Sequence, residues 1–75
     1  MTNIDYVTTH AAAVLCLSKM DNDERYGEFG AALDLHAANY RDVINGRMTD
    51  EGENDHFFRQ TERFFRCHGL LVERS

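Results

Sequence analysis

Hydrophobic residues in the first third of the chain recur at helical spacing and cover more than half of the helix circumference. At 100° per residue, two neighbouring apolar stripes form over residues 3–20, after Thr2 or Asn3 as the N-cap. One stripe contains Ile4, Val7, Ala11, Val14 and Leu15, and the second contains Tyr6, His10, Ala13, Leu17 and Met20. A surface helix needs only one such stripe against its core. The pattern therefore predicts a first helix that also packs against a surface outside its own domain.

The hydrophobic pattern resumes after Asp21 and predicts a second helix over residues 23–45. Its predicted core positions follow one line: Tyr26, Phe29, Leu33, Ala37, Tyr40 and Ile44. Gly46 ends the pattern, because glycine readily adopts the left-handed conformation that stops a helix. Gly27 and Gly30 weaken the first turns of this helix. The helix therefore either approaches a neighbour closely at these glycines or begins after them.

A third helix is predicted over residues 50–68, with Thr49 before its first turn and Gly69 after its last turn. Its inner positions are Phe57, Phe58, Thr61, Phe64, Phe65 and His68. A left-handed glycine directly after the helix end returns the chain in a Schellman motif. Gly69 is therefore expected to bring Leu70 back onto Phe65.

The fold class predicted from these patterns is all-α, because no alternating strand pattern of useful length is present and the chain contains no proline. Short connections favour antiparallel neighbours, so one domain over residues 1–75 is expected to form an antiparallel three-helix bundle. An open helical hairpin that closes only in a dimer is the alternative. The predicted buried residues are Ile4, Val14, Phe29, Leu33, Phe57, Phe64 and Phe65.

The second stripe of the first helix is predicted to form a homodimer interface. A domain of 75 residues buries only about 60% of the surface that its unfolded chain exposes, so small domains gain stability by association. Two neighbouring helices do not need to cover Tyr6, His10, Ala13 and Leu17. A two-fold axis covers such a stripe with its own copy. A dimer is therefore the expected state.

A further stripe lies on the far side of the second helix, opposite its predicted core line. Its residues follow one another at alternating spacings of four and three: Glu24, Glu28, Ala31, Leu35, Ala38 and Asp42. One interpretation is a solvated face that carries a single exposed leucine. The other is a docking surface in which Leu35 enters a pocket and the acidic residues meet a basic partner.

The charge of the chain bears on whether it binds protein or nucleic acid. The chain has 13 acidic residues against 8 Lys and Arg, and its net charge of −5 repels nucleic acid on average. Arg59, Arg63 and Arg66 nevertheless share one side of the third helix, as in helices that contact phosphates. The alternative hypothesis is therefore a nucleic-acid-associated regulator that uses these arginines.

The remaining residue types give no signature of a catalytic, metal or membrane protein. Cys16 and Cys67 are too few for a secreted disulfide framework, so a cytoplasmic location is expected. The His and Cys residues lack the spacing of a metal site, and no cofactor is expected. His36 and Tyr40 lie on the core side of their helix and are interpreted as packing residues. The chain is therefore not expected to be an enzyme, and it has no run of about 20 apolar residues to span a membrane.

The function predicted from the sequence is a cytoplasmic protein–protein interaction module that forms a homodimer. Compact acidic helical chains of this size are common among phage- and plasmid-encoded inhibitors. An adaptor or an inhibitor of a larger nucleic-acid-handling complex is therefore the specific form of this hypothesis. Direct contact with nucleic acid is disfavoured by the negative charge.

Overall fold

The regular structure of the chain is helical, as predicted. The computed structural model describes residues 3–49 and 51–74. In chain order its elements are α1 (Tyr6–Ser18), α2 (Asn22–Arg25), α3 (Glu28–Ile44), a 3₁₀ turn (Gly52–Asn54) and α4 (Asp55–Cys67). Within those ranges, the β pairing is an isolated antiparallel bridge between Ile4 and Glu73.

Helix α1 begins later than predicted because Asp5 is its N-cap. The Asp5 carboxylate accepts hydrogen bonds from the backbone N–H of Thr8 at 3.0 Å and from the Thr8 hydroxyl at 2.8 Å. These bonds favour the charged form and hold the pKa of Asp5 below its ordinary value of 3.8. Asn3, a predicted N-cap, instead accepts a hydrogen bond from the N–H of Arg74 at 2.7 Å. The other predicted N-cap, Thr2, lies outside the described residues.

The predicted middle helix is divided into α2 and α3, with α3 beginning at Glu28 between the two glycines, so a later start applies at Gly27 and a close approach at Gly30. The Asp21 side chain caps α2 by accepting a hydrogen bond from the N–H of Glu24 at 2.8 Å. Gly27 is extended, with φ −73° and ψ 174°, and turns the chain into α3. A Cβ atom on Gly30 would overlap the carbonyl oxygen of Glu24 and lie 2.7 Å from that of Arg25. The absence of a side chain at Gly30 therefore lets α2 pack directly on the first turn of α3.

We expect Gly30→Ala to destabilise the fold by about 1–3 kcal/mol, as overpacking does. Alanine is the better helix former by about 1 kcal/mol, but the added methyl group meets two backbone carbonyls that cannot rotate away. Urea unfolding measures the loss. Gly27→Ala is the matched control, because its new Cβ atom would lie 3.3 Å from the nearest backbone oxygens. A Gly30→Ala protein at least as stable as the Gly27→Ala protein would contradict this packing.

Helix α4 begins at Asp55, which is later than predicted. The predicted start at Asp50 lies outside the described residues. The hydroxyl of Thr49 donates a hydrogen bond to the carbonyl oxygen of Glu51 at 3.0 Å. Thr49 therefore stabilises the connection rather than the first turn of the helix.

Both predicted glycine stops are confirmed. Gly46 and Gly69 have φ angles of 75° and 70°, in the left-handed region. The N–H of Leu70 donates to the carbonyl oxygen of Phe65 at 2.8 Å, which is the long hydrogen bond of a Schellman motif. Leu70 packs against the core, as the sequence predicts.

Helix α3 lies between α1 and α4 and packs against both. The ring of Tyr6, at the start of α1, contacts the ring of Tyr40, near the end of α3, with 5.3 Å between their centroids. Phe29 contacts His68 at 4.8 Å, and Tyr40 contacts Phe58 at 5.8 Å. These contacts place the start of α3 beside the end of α4. Both α1 and α4 therefore run antiparallel to α3.

The buried core differs in membership from the predicted one. Its hydrophobic members are Ile4, Ala13, Leu17, Leu33, Ala37, Tyr40, Phe58 and Phe65. The predictions for Ile4, Leu33 and Phe65 are confirmed, and Phe64 is half-buried. The predictions for Val14, Phe29 and Phe57 are wrong, because these side chains are exposed. Tyr26 and Ile44, on the predicted core line of the second helix, are exposed as well.

The last described residues, 70–74, return to the start of α1, and the sequence patterns do not predict this contact. The carbonyl oxygen of Val72 accepts a hydrogen bond from the N–H of Asp5 at 2.8 Å. The N–H of Val72 donates to the hydroxyl of Thr9 at 2.9 Å. Arg66 on α4 forms an ion pair with Glu73 at 2.9 Å. This segment therefore joins α1 to α4.

Candidate protein-binding surfaces

The face of α1 that packs against α3 is the one predicted to form the dimer interface. Ala13 and Leu17 are buried, and Tyr6 and His10 are partly buried. The Tyr6 ring lies 5.7 Å from that of Phe58, in addition to its contact with Tyr40. Ala13 and Leu17 of the predicted interface belong to the core of the same domain, and Tyr6 packs against that core, so these three side chains are covered within one chain.

Small and polar residues explain why this face of α1 packs into the core. Ala13 and Ala37 are both buried, and their short side chains let α1 and α3 approach closely. Thr9 lies on the same side of α1, fully buried, and its hydroxyl satisfies the backbone of Val72. The neighbouring stripe offers the aliphatic side chains of Val7, Val14 and Leu15 at these positions, and none of them carries a hydroxyl for this contact. The size of the apolar side chains therefore does not predict which face of α1 is buried.

The surplus apolar surface of α1 faces outward. We define the outer face of α1 as Val7, Ala11, Val14, Leu15 and Ser18, all of which are exposed. Val7, Val14 and Leu15 expose 58%, 46% and 57% of their surface. The sequence from Tyr6 to Ser18 contains no Asp, Glu, Lys or Arg. The expectation that α1 carries more apolar surface than its domain uses is confirmed, and the outer face is where this surface lies.

The predicted stripe around Leu35 runs along α3 from Glu28 to Asp42, whereas Glu24 lies on α2 and is separated from this line by the extended Gly27. Leu35 is 61% exposed. Glu24, Glu28 and Ala31 are exposed, while Ala38 and Asp42 are partly covered. These exposures fit a solvated face and a docking surface equally, so both interpretations of the stripe stand.

A shallow cleft of about 310 Å³ lies beside this stripe. Its lining residues come from α1, α2, the turn after α2 and α3: Leu17, Arg25, Tyr26, Ala31 and Asp34. Tyr26, the aromatic residue among these, is 86% exposed and lies at the C-terminal end of α2.

The predicted arginine surface on α4 is partly occupied by acidic side chains of the same chain. Arg59 pairs with Asp55 at 3.3 Å. Arg66 pairs with Glu62 at 3.7 Å, as its spacing predicts, and also with Glu73. Arg63 is exposed on the same helix. A phosphate would have to compete with these carboxylates for two of the three arginines, so the contacts give no support to the nucleic-acid hypothesis.

A half-exposed aromatic cluster lies between α3 and α4, and the sequence analysis assigned its members to the core. The Phe64 ring lies 4.5 Å from that of His36, 4.6 Å from that of His68 and 5.8 Å from that of Phe29. Shallow clefts of about 410 and 350 Å³ border the Phe64 and His68 rings. The exposed Cys67 lines the larger cleft. The cluster remains accessible because α4 packs on α3 through Phe58, Thr61 and Phe65.

A polar network joins α3 to α4 under this cluster. The buried hydroxyl of Thr61 lies 2.8 Å from Nδ1 of His36 and accepts a hydrogen bond from the Asn39 amide at 3.0 Å. When His36 is neutral with Nδ1 unprotonated, the Thr61 hydroxyl can donate to it and both partners are satisfied. Burial lowers the pKa of His36 below its ordinary value of 6.5. The folded state therefore favours the neutral form of His36.

Acidification is expected to weaken the fold through His36. A histidine whose folded pKa is lowered contributes its full stability above the unfolded value of 6.5, and that contribution is lost as the pH falls toward the lowered pKa. Urea unfolding from about pH 7 to about pH 5 measures this loss. His36→Gln should show a smaller loss over this range, because it cannot be protonated but still offers an oxygen to Thr61. If the free energy of unfolding changes equally with pH in both proteins, His36 is not the group that weakens the fold on acidification.

Tyr40 is a packing residue, as predicted. Its side chain is fully buried, and its ring contacts those of Tyr6, Phe58 and Phe65. Burial is the main cause that raises the pKa of its hydroxyl far above the ordinary value. Across residues 3–49 and 51–74, the Tyr40 hydroxyl is the buried side-chain oxygen that has no hydrogen-bond partner.

Residues 3–49 and 51–74 contain neither a metal-ligand cluster nor a membrane-length helix. In this part of the chain, no group of three or more His, Cys, Asp or Glu side chains is placed to hold a metal ion. None of the helices formed by these residues has both the length and the apolar character needed to cross a bilayer.

Comparisons with protein-family models, with curated proteins and with solved structures find no match to this chain. The roles of its residues are therefore inferred from its own contacts, exposures and charges.

Proposed function

We propose that this chain is a small protein-interaction module that binds protein through the outer face of α1. The observation that carries the proposal is the exposure of three large aliphatic side chains, Val7, Val14 and Leu15, on a helix without charged residues. Contiguous apolar surface on a small protein marks an interaction site more often than a solvated face. The interaction removes this surface from water.

The energetics of a small domain support the same proposal. Burial of apolar surface contributes roughly 25 cal/mol per Å², and a domain of this size has little core to supply it. The described core includes two alanines among its eight hydrophobic members. In the proposal, the domain is an antiparallel three-helix bundle whose stability increases when the outer face of α1 is covered.

The acidic stripe around Leu35 supports the adaptor or inhibitor form of this function. Leu35 and Glu28 are exposed on α3, and the exposed Glu24 lies on the neighbouring α2, so the surface offers an apolar anchor with acidic residues toward the start of α3. A complementary surface is apolar at its centre and basic at its border, as in proteins that handle nucleic acid. We propose that the chain contacts a cytoplasmic, nucleic-acid-handling complex through this stripe. The outer face of α1 supplies the main binding surface.

Affinity capture with the full-length chain tests the proposal. Leu15→Glu places a charge on the outer face. Phe57→Glu is the matched control, since both side chains are 57% exposed on helices and Phe57 lies outside both proposed surfaces. The proposal expects proteins retained by the parent, including an untagged copy of the chain, to be lost from Leu15→Glu and kept by Phe57→Glu. Equal retention by all three proteins, or loss from Phe57→Glu alone, would overturn the role of the outer face.

A further inference from the structure

We propose that the outer face of α1 binds a second copy of this chain, with the two α1 helices packed antiparallel across a two-fold axis. This inference rests on the proposed function, because it names the partner of the same face. Three properties of α1 carry it: the spacing of the exposed residues, the order of large and small side chains, and the distribution of charge.

The spacing on the outer face is that of a helix–helix seam. Val7, Ala11, Val14 and Ser18 follow one another at intervals of four, three and four residues, and all four are exposed. This alternation is the pattern of the contact positions in paired helices. Leu15 lies beside the seam and widens the apolar surface. The seam spans about three turns of α1, which is nearly its whole length.

Large and small residues on this seam are complementary in one orientation. If the two-fold axis passes between residues 12 and 13, Val7 of each copy lies opposite Ser18 of the other. Ala11 then lies opposite Val14, so each valine faces a small residue. In a parallel pair with equal register, valine would face valine and alanine would face alanine, leaving gaps between the larger contacts. Interdigitation therefore favours the antiparallel pair.

Polar groups on the seam do not oppose its burial. The hydroxyl of Ser18 donates a hydrogen bond to the carbonyl oxygen of Leu15 in its own helix at 2.7 Å. A hydroxyl that already has a partner can be covered without losing a hydrogen bond to water. The neighbouring Thr8 hydroxyl is likewise bonded to Asp5. The outer face can therefore be removed from water without an unsatisfied donor.

Charge permits a second copy on this face and bears on its orientation. Two chains with a net charge of −5 repel each other, and the outer face brings no charged residue into the contact. Asp5 caps the start of α1, where its carboxylate lies 4.0 Å from Arg74, and the exposed Lys19 follows the end of α1. An antiparallel pair keeps the two Lys19 side chains at opposite ends of the contact, whereas a parallel pair brings them together. The order of large and small residues therefore identifies the second copy, and charge agrees with its antiparallel orientation.

Disulfide formation between two cysteine variants tests this register. Full-length Ala11→Cys and Val14→Cys proteins, each also carrying Cys67→Ser to remove the exposed thiol, are mixed in equal amounts and oxidised gently. A disulfide needs Cα atoms about 4.4–6.8 Å apart, so only residues that face each other closely are joined. We expect the mixed disulfide between positions 11 and 14 to exceed the two symmetric disulfides together by several-fold. Random pairing would give equal amounts.

Outcomes of this experiment separate the inference from the proposed function. A mixed product no more abundant than random pairing, or dominance of the symmetric products, would overturn the antiparallel copy. If Leu15→Glu still removes a different protein from the parent bait in that case, the proposed function stands and only its partner was misassigned. If capture is also insensitive to Leu15→Glu, the proposed function fails as well.

Discussion

Replacement of Phe65 by alanine is expected to unfold the domain. Phe65 is fully buried, and its ring contacts those of Tyr40 and Phe64 at 4.9 and 5.8 Å. Its carbonyl oxygen also accepts the hydrogen bonds that turn the chain after α4, so collapse around the vacated volume would disturb this turn. Truncation of a buried phenylalanine costs about 3–5 kcal/mol. Small domains have as little as about 5 kcal/mol of total stability.

Circular dichroism during thermal unfolding measures this effect, with Phe57→Ala as the matched control. Phe57 lies on the same helix but is 57% exposed, so its truncation should lower the melting temperature only slightly. Phe64→Ala should fall between the two, because Phe64 is half-buried. A Phe65→Ala protein that melts cooperatively near the parent temperature would show that the inner side of α4 is assigned wrongly.

A glutamate at Leu17 and a glutamate at Leu15 are expected to have opposite consequences. Leu17 is 7% exposed, so Leu17→Glu removes a core side chain and places a carboxylate at a buried position. Loss of the leucine alone costs about 2–5 kcal/mol, and the buried charge adds to this cost. We expect Leu17→Glu to be unfolded. Leu15→Glu, on the outer face, should remain folded and lose self-association.

Circular dichroism and the unfolding midpoints of the two variants show which face of α1 is buried in the core and which is free for association. Dilute samples are needed, because association would otherwise stabilise the parent relative to Leu15→Glu by mass action. A folded Leu17→Glu protein together with an unfolded Leu15→Glu protein would restore the face predicted from sequence as the interaction surface.

Local sequence signals predicted the all-α fold class and the C-terminal ends of the helices. Gly46 and Gly69 were assigned correctly because a left-handed residue after a helix is a local requirement that glycine meets without strain. Gly27 and Gly30 were correctly singled out, and the close approach of α2 to Gly30 explains the division of the middle helix. These features depend on neighbours within a few residues, which sequence patterns report directly.

The face of α1 could not be predicted, because its two stripes are similarly apolar. The decision was made by long-range contacts: Ala13 against α3, and Thr9 against Val72 of the returning C-terminal segment. A buried threonine on an otherwise apolar stripe was the available signal, since such a hydroxyl requires a polar partner. The burial of Phe57 and Phe64 was mispredicted for the same reason. Only the tertiary arrangement shows how much of α4 is covered.

The central claim is that the outer face of α1 joins two copies of this chain. Light scattering of the full-length protein at neutral pH, over a series of concentrations reaching well above tens of micromolar, measures its mass directly, since small interfaces give weak association. The mass should rise from the 8.7 kDa of the monomer to twice that value, and Leu15→Glu should remain at the monomer mass while keeping the parent's helical content. A parent protein that stays at the monomer mass throughout would contradict the claim.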